Sequence, residues 1–511
     1  MNSRIHHRVL RAALLWLVAV SAAQAEVRLA PLFRSGAVLQ REQPLPIWGW
    51  AAPGEKVTVR FQGETATATA EADGRWFVQL SPRPAATTPQ TLVVQGRNRL
   101  QIDDVLVGDV WLCSGQSNMN WPLAQTENAE AEIAQAEHPL IRQFKVPRVP
   151  AEEPAREVDA QWVACSPKSA GEFTAVGYYF ARDLLARTQV PIGLVHSSWG
   201  GTVIESWISP GVLQAEPEFA GVMERWRQRL ADFPAAEQRY VIARQRWEEQ
   251  RRAAEEAGQP FRVRAPNAPE GRGSRAQPGS LYNGMIAPLV PAALSGILWY
   301  QGESNAGGRA AEYGTLFQRL ITDWRVAFQR PELPFYFVQI ANYEPPNDPS
   351  GQAWAVLREQ QTSALTLPAT GMAVTIDIGD PKDIHPRNKR DVGERLARFA
   401  RAQLYGEKLV TTGPRLQQVE RRGRALRLTF AEADGLMLRP AETSSFEVAG
   451  ADGAFYPAAA VVKGQRIELT AAEVREPVEV RYAWANAPVA TVFNAAGLPA
   501  APFRATVPRR R

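Results

Sequence analysis

Two hydrophobic periods alternate through the middle of this chain. Short apolar runs, "VLVGDVWLCSG", "VPIGLVHSSWGG", "SGILWYQGESN", "FYFVQIANY" and "MAVTIDIGD", are separated by helical patterns such as "AVGYYFARDLLART" and "YGTLFQRLITDWRVAF". A strand that is apolar throughout must be covered on both faces, so the alternation predicts βα units around a mostly parallel sheet. Each run ends in polar, glycine-containing or turn-like residues. Open α/β sheets bind and react at the carboxyl edge of their strands, which is where the chemistry is expected.

β-rich sequence flanks this region on both sides. From Glu26 to about Gln101, runs such as "KVTVRFQ", "RWFVQL" and "QTLVVQG" are punctuated by Pro-Gly and Asp-Gly turns, the pattern of an antiparallel module. After Gly406, "ALRLTF", "SSFEVAG", "RIELTA" and "VEVRYAW" repeat that pattern. At 511 residues the chain exceeds one ordinary core. The expected organisation is an N-terminal β module over 26–103, an α/β domain over 104–406 and a β-rich region over 407–511. A charged stretch within 217–280 reads as one or two exposed helices and a Pro/Gly/Arg-rich loop inserted over one edge of the site.

Residues 1–25 carry basic residues, an apolar run from about Ala12 to Ala22, and Ala-Gln-Ala before Glu26. This is the pattern of a cleaved secretory signal, and the run is short for a bilayer span. An exported mature protein, periplasmic or secreted and not membrane-bound, is expected. The net charge of +5 is small for this length and its basic runs are mixed with acids or terminal, which argues against nucleic acid as a partner. Cys113 and Cys165 are the only cysteines. They exclude a disulfide framework and a cysteine zinc site, and leave open one bridge or two buried thiols.

A serine hydroxyl needs a base to become a nucleophile, and outside 1–25 only three histidines remain. His138 follows an acidic helical stretch and precedes Pro139, a helix-end setting. His196 ends an apolar strand, where a core role is expected. His385, in "DIGDPKDIHPRNKRDVGERL", occupies a loop between a strand and a helix with Asp380 and Asp383 nearby; only here is an orienting carboxylate supplied locally. Ser117 follows a buried strand in "DVWLCSGQSN", in a glycine-containing turn that can expose a hydroxyl and leave backbone N–H groups facing an oxyanion. The turn is not the GxSxG elbow of α/β-hydrolases. Gly200 and Gly201 in "SSWGGTVIESW", and Gln301 and Asn305 in "WYQGESNA", add backbone and amide donors at two further strand ends.

Taken together, "GQSNM", "SSWGGT", "WYQGESNA" and "DIHPRNK" resemble the blocks of the SGNH (GDSL-like) hydrolases, in the sialate O-acetylesterase-like branch of carbohydrate acetylesterases. The resemblance spans roughly Asp104 to Leu404 and extends to "YAWANAPVATVFNAAGLPAAPF". It implies a flavodoxin-like three-layer α/β/α core with accessory jelly-roll-like β-sandwich material, and hydrolysis of acetyl esters on sugar hydroxyls with no metal or organic cofactor. Ser117 then corresponds to the nucleophile, His385 to the base and Asp383 to the acid, with Asp380 in reserve. The position three before the histidine, where the acid often stands, is Lys382. The oxyanion hole is expected from the Ser117 and Gly201 N–H groups and a side chain from Gln301 or Asn305. Gln116, Asn118, Trp121 and Glu303 are candidate substrate contacts. Trp199, Trp207, Trp299 and Tyr300 are further aromatic candidates, the last two more in keeping with a core. A sialate carboxylate would call on Arg309, Arg387 or Lys389, whereas acetylated xylan or xyloglucan would call for an open aromatic groove.

Overall fold

The structure is a computed structural model that describes residues 26–508; the expected signal segment 1–25 lies outside the described residues. Seven strands carry the central part of the largest sheet: β1 (Arg99–Gly115), β2 (His138–Lys145), β3 (Trp162–Cys165), β4 (Ile192–Ser198), β5 (Gly296–Tyr300), β6 (Phe335–Val338) and β7 (Thr370–Ala373). Their spatial order is β3-β2-β4-β1-β5-β6-β7, parallel throughout except for the antiparallel β3–β2 pair at one edge.

The apolar runs form central strands because both of their faces are covered. Along β1, Val110 and Leu112 join one buried cluster, while Trp111 and Cys113 join the other. Side chains alternate across a strand, so an unbroken apolar run feeds two cores at once. The covering helices are α1 (Ala175–Thr188), α3 (Tyr313–Ala327), α4 (Ala353–Ser363) and α5 (Arg390–Gln403), with the inserted α2 (Ala220–Glu256) standing apart from the sheet. α1 and α5 pack on the Trp111 face, where Phe180 meets the Trp111 ring edge-on at 4.7 Å. On the opposite face α3 sends Phe317 and Trp324 against Trp299 of β5, with ring centroids 6.3 and 5.6 Å apart.

β1 is 17 residues long and belongs to two environments. Its first half pairs antiparallel with Ala86–Gln95, residues Leu106–Gly108 pair parallel with Val38–Gln40, and its second half lies between β4 and β5. The strand therefore runs through positions 103 and 104, and the N-terminal β region is hydrogen-bonded into the same sheet that carries the site.

The charged stretch folds as a single 37-residue helix, α2, with Pro234 inside it. Its side chains are mostly exposed and laced by i,i+4 pairs such as Arg244–Glu248 and Arg251–Glu255. Cys113 and Cys165 are both buried and unpaired, so the two separate thiols are observed rather than the bridge. Among the described residues no helix is long and apolar enough to cross a membrane.

At the C-terminal end, two four-stranded antiparallel sheets face each other through Phe430, Phe446, Tyr482 and Phe503. This region is tied to the α/β sheet by Arg358 of α4, which is fully buried and donates to the carbonyls of Ile340, Ala341, Ala485 and Asn486. A buried cation is tolerated only when its donors are satisfied, and here the acceptors come from both sides of the junction. Arg358→Ala leaves those carbonyls without a donor and is expected to lower unfolding stability by about 3–5 kcal/mol, read as a fall in the urea midpoint.

Candidate active site

The carboxyl ends of β1, β4 and β5 converge with the loop that follows β7. β1 ends at Gly115, whose φ is +132° and where a Cβ would come within 2.1 Å of the Tyr300 carbonyl oxygen. Only glycine lets β1 and β5 approach this closely at a left-handed φ. The chain then turns: the Gln116 N–H donates to Tyr300 O at 2.9 Å, and Ser117 opens the short helix Ser117–Asn120. β4 ends beside it, and a Cβ on Gly200 would lie 3.1 Å from Ser117 Cβ.

His385 reaches this turn from the loop between β7 and α5. Its Nε2 stands 2.8 Å from Ser117 Oγ, across 268 positions of sequence. The Trp121 ring stacks on the imidazole, with centroids 4.9 Å apart and planes 17° from parallel. Asp383 is more loosely placed. Its Oδ1 accepts the His385 backbone N–H at 2.8 Å and lies 3.9 Å from Nδ1, beyond hydrogen-bonding distance, with the side chain about half exposed (49%). Asp380 turns away to accept the Lys382 N–H at 2.8 Å. Partial burial first, then the charge of Lys389, holds the His385 pKa below its ordinary value, while Asp383 pulls it upward.

Behind the pair lies a buried polar chain. The Asn118 amide donates to Glu303 Oε1 at 2.5 Å and to Ile384 O at 2.9 Å, while its Oδ1 accepts from Lys389 Nζ at 2.6 Å. Lys389 also donates to Pro386 O and lies 5.7 Å over the rings of Trp121 and Tyr300. Burial lowers the Lys389 ammonium to about 7, against the attraction of Glu303 and Asp383. Burial likewise raises the Glu303 carboxyl above its usual range, against the Asn118 hydrogen bond and the Lys389 charge.

The oxyanion candidates separate into two groups. Gly201 has a φ of +71°, and its N–H makes no hydrogen bond to the described residues. The Ser117 N–H starts a helix and so has no intrahelical acceptor. The two amides lie deeper. Gln301 spends both N–H groups on Thr202 O (3.1 Å) and Asn305 Oδ1 (2.8 Å). Asn305 accepts Ile204 N–H at 3.0 Å, which fixes its orientation, and donates to Glu205 at 3.0 Å, leaving its second N–H without a partner among the described residues.

Of the expected substrate contacts, Trp121 is half-buried at the site, whereas Gln116, Asn118 and Glu303 are buried and bonded to neighbouring loops. Gln116 Oε1 accepts Ser304 N–H at 3.3 Å. Trp199 is half-buried, while Trp207, Trp299 and Tyr300 are core. His138 opens β2 instead of closing a helix, because the preceding helix ends at Ala134 and His138 pairs with Cys165 across the edge of the sheet. His196 is buried with Nε2 2.6 Å from Ser198 Oγ, and burial pushes its pKa down to about 3, so it stays neutral. Arg275, from the loop after α2, escaped the sequence reading; its guanidinium donates to Gly200 O at 2.9 Å and steadies the glycine turn. Nothing in an Arg-rich loop marks which arginine folds back. Among the described residues no group of three or more His, Cys, Asp or Glu side chains is arranged to hold a metal.

The same residues, 107–242 and 270–402, match the family model described as "Carbohydrate esterase, sialic acid-specific acetylesterase". The chain belongs to that family. The break in the match falls within the inserted helix and loop. Sialate O-acetylesterases of Mus musculus and Rattus norvegicus are 33% and 32% identical to it, each alignment covering 93% of both chains. The crystal structure of a carbohydrate acetylesterase from Xanthomonas citri is 40% identical and superposes with a TM-score of 0.79, covering 94% of this chain and 99% of that one. This family member is accordingly a carboxylic-ester hydrolase acting on acetylated carbohydrate.

Lys389→Met removes a positive charge close to the imidazole while retaining most of the side-chain volume. The His385 pKa is expected to rise toward its ordinary value, which an NMR titration of the ring proton resonances would follow; a fall would contradict the proximity of the cation.

Proposed function

We propose that this esterase is a serine hydrolase of the SGNH type that removes acetyl groups from sugar hydroxyls through a covalent acyl-enzyme. The 2.8 Å contact between Ser117 Oγ and His385 Nε2 carries this reading. The sheet order and the helices on both of its faces fit a flavodoxin-like three-layer core. A depressed histidine pKa keeps His385 neutral, as a general base must be, at and below neutral pH.

In this mechanism His385 takes the Ser117 proton as Oγ attacks the acetyl carbonyl. The negative charge that develops on the carbonyl oxygen is met by the Ser117 and Gly201 N–H groups and the free N–H of Asn305, in preference to Gln301, whose N–H groups are committed. Each well-placed donor contributes roughly 2.7–4 kcal/mol to the transition state. The imidazolium returns its proton to the departing sugar alkoxide, and the acetyl group remains on Ser117. Water then loses a proton to His385, attacks the acyl carbon and releases acetate with Ser117 reprotonated. The stack on Trp121 and the Asn118–Lys389 clamp hold the imidazole in line, with Asp383 assisting by its charge from near the solvent. The substrates are acetylated sugars, sialic acid or plant polysaccharides such as xylan and xyloglucan. The protein acts in the periplasm or outside the cell after removal of residues 1–25, whose basic and apolar segments precede Ala-Gln-Ala.

Ser117→Ala is expected to lower turnover of p-nitrophenyl acetate by about 10⁴-fold or more with an unchanged circular dichroism spectrum; retained activity would remove the nucleophile. Because the base works only when neutral and its pKa is lowered, kcat/KM should fall as the pH drops through a midpoint below the ordinary histidine value of 6.5. Asp383→Asn should cost no more than about tenfold in kcat, far less than the roughly 10⁴-fold loss at a fully engaged triad acid, and should move that midpoint lower still.

A further inference from the structure

The turn that carries the proposed backbone oxyanion donor is pinned at both ends. The Trp199 N–H donates to Gly115 O at 3.1 Å, the Thr202 hydroxyl donates to Trp199 O at 2.8 Å, and Thr202 O accepts from the Gln301 amide at 3.1 Å. Between those ends, the peptide that joins Gly200 to Gly201 has glycine on both sides. Glycine visits both signs of φ at little cost, so a peptide between two of them is free to flip, exchanging its carbonyl for its N–H, unless something holds it.

Arg275 holds it. The guanidinium donates through Nη1 to Gly200 O at 2.9 Å, and among the described residues that carbonyl accepts no other hydrogen bond. The peptide is trans, so its C=O and its N–H point in opposite directions. The Gly200 carbonyl and the Gly201 N–H belong to this one unit, and a cation fixed on the first aims the second the other way. That N–H is the one left without an acceptor among the described residues. A hydrogen bond to an amide oxygen also polarises the N–H of the same amide, and a charged donor does so more than a neutral one. The cation stays close to the turn, since a Cβ on Gly201 would lie 3.5 Å from Nη1.

The loop that delivers Arg275 is itself braced. Glu270 accepts from Arg275 Nε at 3.1 Å, the Gly273 N–H donates to the Gln277 side chain at 2.8 Å, and Gly271 lies against Phe233 of α2, where a Cβ would come within 2.4 Å of the ring. Four residues beyond Arg275, the Gly279 N–H donates to Glu205 O at 3.0 Å, and the Glu205 carboxylate accepts the Asn305 amide at 3.0 Å. A single loop from the inserted segment thus backs both Gly201 and Asn305, two of the proposed oxyanion donors.

We propose that Arg275 is a positioning residue for acetyl transfer: it holds and polarises the Gly200–Gly201 peptide from the carbonyl side, which orders and strengthens the Gly201 N–H as an oxyanion donor without contact to the substrate. The proposal rests on the serine-hydrolase reading above and extends that site into the inserted segment.

Arg275→Met keeps most of the side-chain length and removes the donor and its charge. Acylation and deacylation each pass through a tetrahedral oxyanion, so both should slow alike. For p-nitrophenyl acetate, kcat is expected to fall about 10- to 30-fold, less than the roughly 10²- to 10³-fold cost of deleting a donor outright, while KM stays within about threefold. Arg275→Lys, which keeps a charged donor, should recover part of the loss, and Arg275→Ala should regain activity when millimolar guanidinium chloride is added. A kcat for Arg275→Met within about twofold of the wild type, or a loss confined to KM, overturns the role. Should Arg275→Met melt below the assay temperature, Arg275→Ala decides: a folded Arg275→Ala protein that guanidinium does not revive overturns it equally. In all of these outcomes the wild-type protein is active and the esterase reading stands. A wild-type protein inert toward p-nitrophenyl acetate, or a Ser117→Ala protein that keeps its activity, overturns the serine-hydrolase reading instead.

Discussion

The Asn118 carboxamide joins three loops at a single buried point. It follows Ser117 directly, donates to Glu303 after β5 and to the Ile384 carbonyl beside His385, and accepts from Lys389 four residues beyond that histidine. A buried amide can make these bonds in only one orientation, and leaving any of them unmade carries a desolvation penalty of about 1–3 kcal/mol. The distance between Ser117 and His385 is thus set less by their own hydrogen bond than by the hydrogen-bonded network beneath them, in which Glu303 Oε2 is left without a partner among the described residues. The chain that supplies Ser117 is itself fixed, because Gly115 permits the close approach of β1 to Tyr300 and the Gln116 N–H closes the turn.

The same network sets the charge state of the site. Lys389 and Glu303 both leave water, which weakens the charged form of each, and the amide between them offsets part of that penalty. A cation held behind His385 disfavours imidazolium, and partial burial acts in the same direction. Asp383 opposes both, but from 3.9 Å and with half its surface in water its influence is screened. This balance differs from a triad in which a buried carboxylate grips Nδ1: here geometry comes from stacking and from the loop clamp, and electrostatics favours the neutral ring.

Much of the architecture was legible because it depends on period and length. An apolar run of strand length bounded by turn residues has few folded uses other than a strand covered on both faces, so β1, β4, β5, β6 and β7 could be read directly. Ser117 and His385 stood out for a related reason: each sits at the end of such a run, histidine is scarce, and a local carboxylate accompanies only His385. What an amide does is not legible in the same way. Gln301, Asn305 and Asn118 have side chains that serve equally well to bind a ligand or to staple loops, and only coordinates show where the partner carbonyls are.

The long β1 strand explains why this site needs the flanking β region as well as the α/β sheet. Its first half is held by Ala86–Gln95 and Val38–Gln40, and its second half ends at the serine turn. A strand gripped along its whole length cannot slip by one residue without moving every side chain to the opposite face, which would exchange Trp111 and Cys113 with Val110 and Leu112 between the two cores. Register at the proposed nucleophile is therefore fixed partly by pairing well upstream of it. On the β6 side of the sheet Arg358 does the comparable work for the loops after β6, donating to carbonyls of the sheet region and of the C-terminal segment at once. With one side of the site anchored through a continuous strand and the other through a buried guanidinium, the serine turn and the loops after β6 are each held by bonds that lie outside the reacting pair.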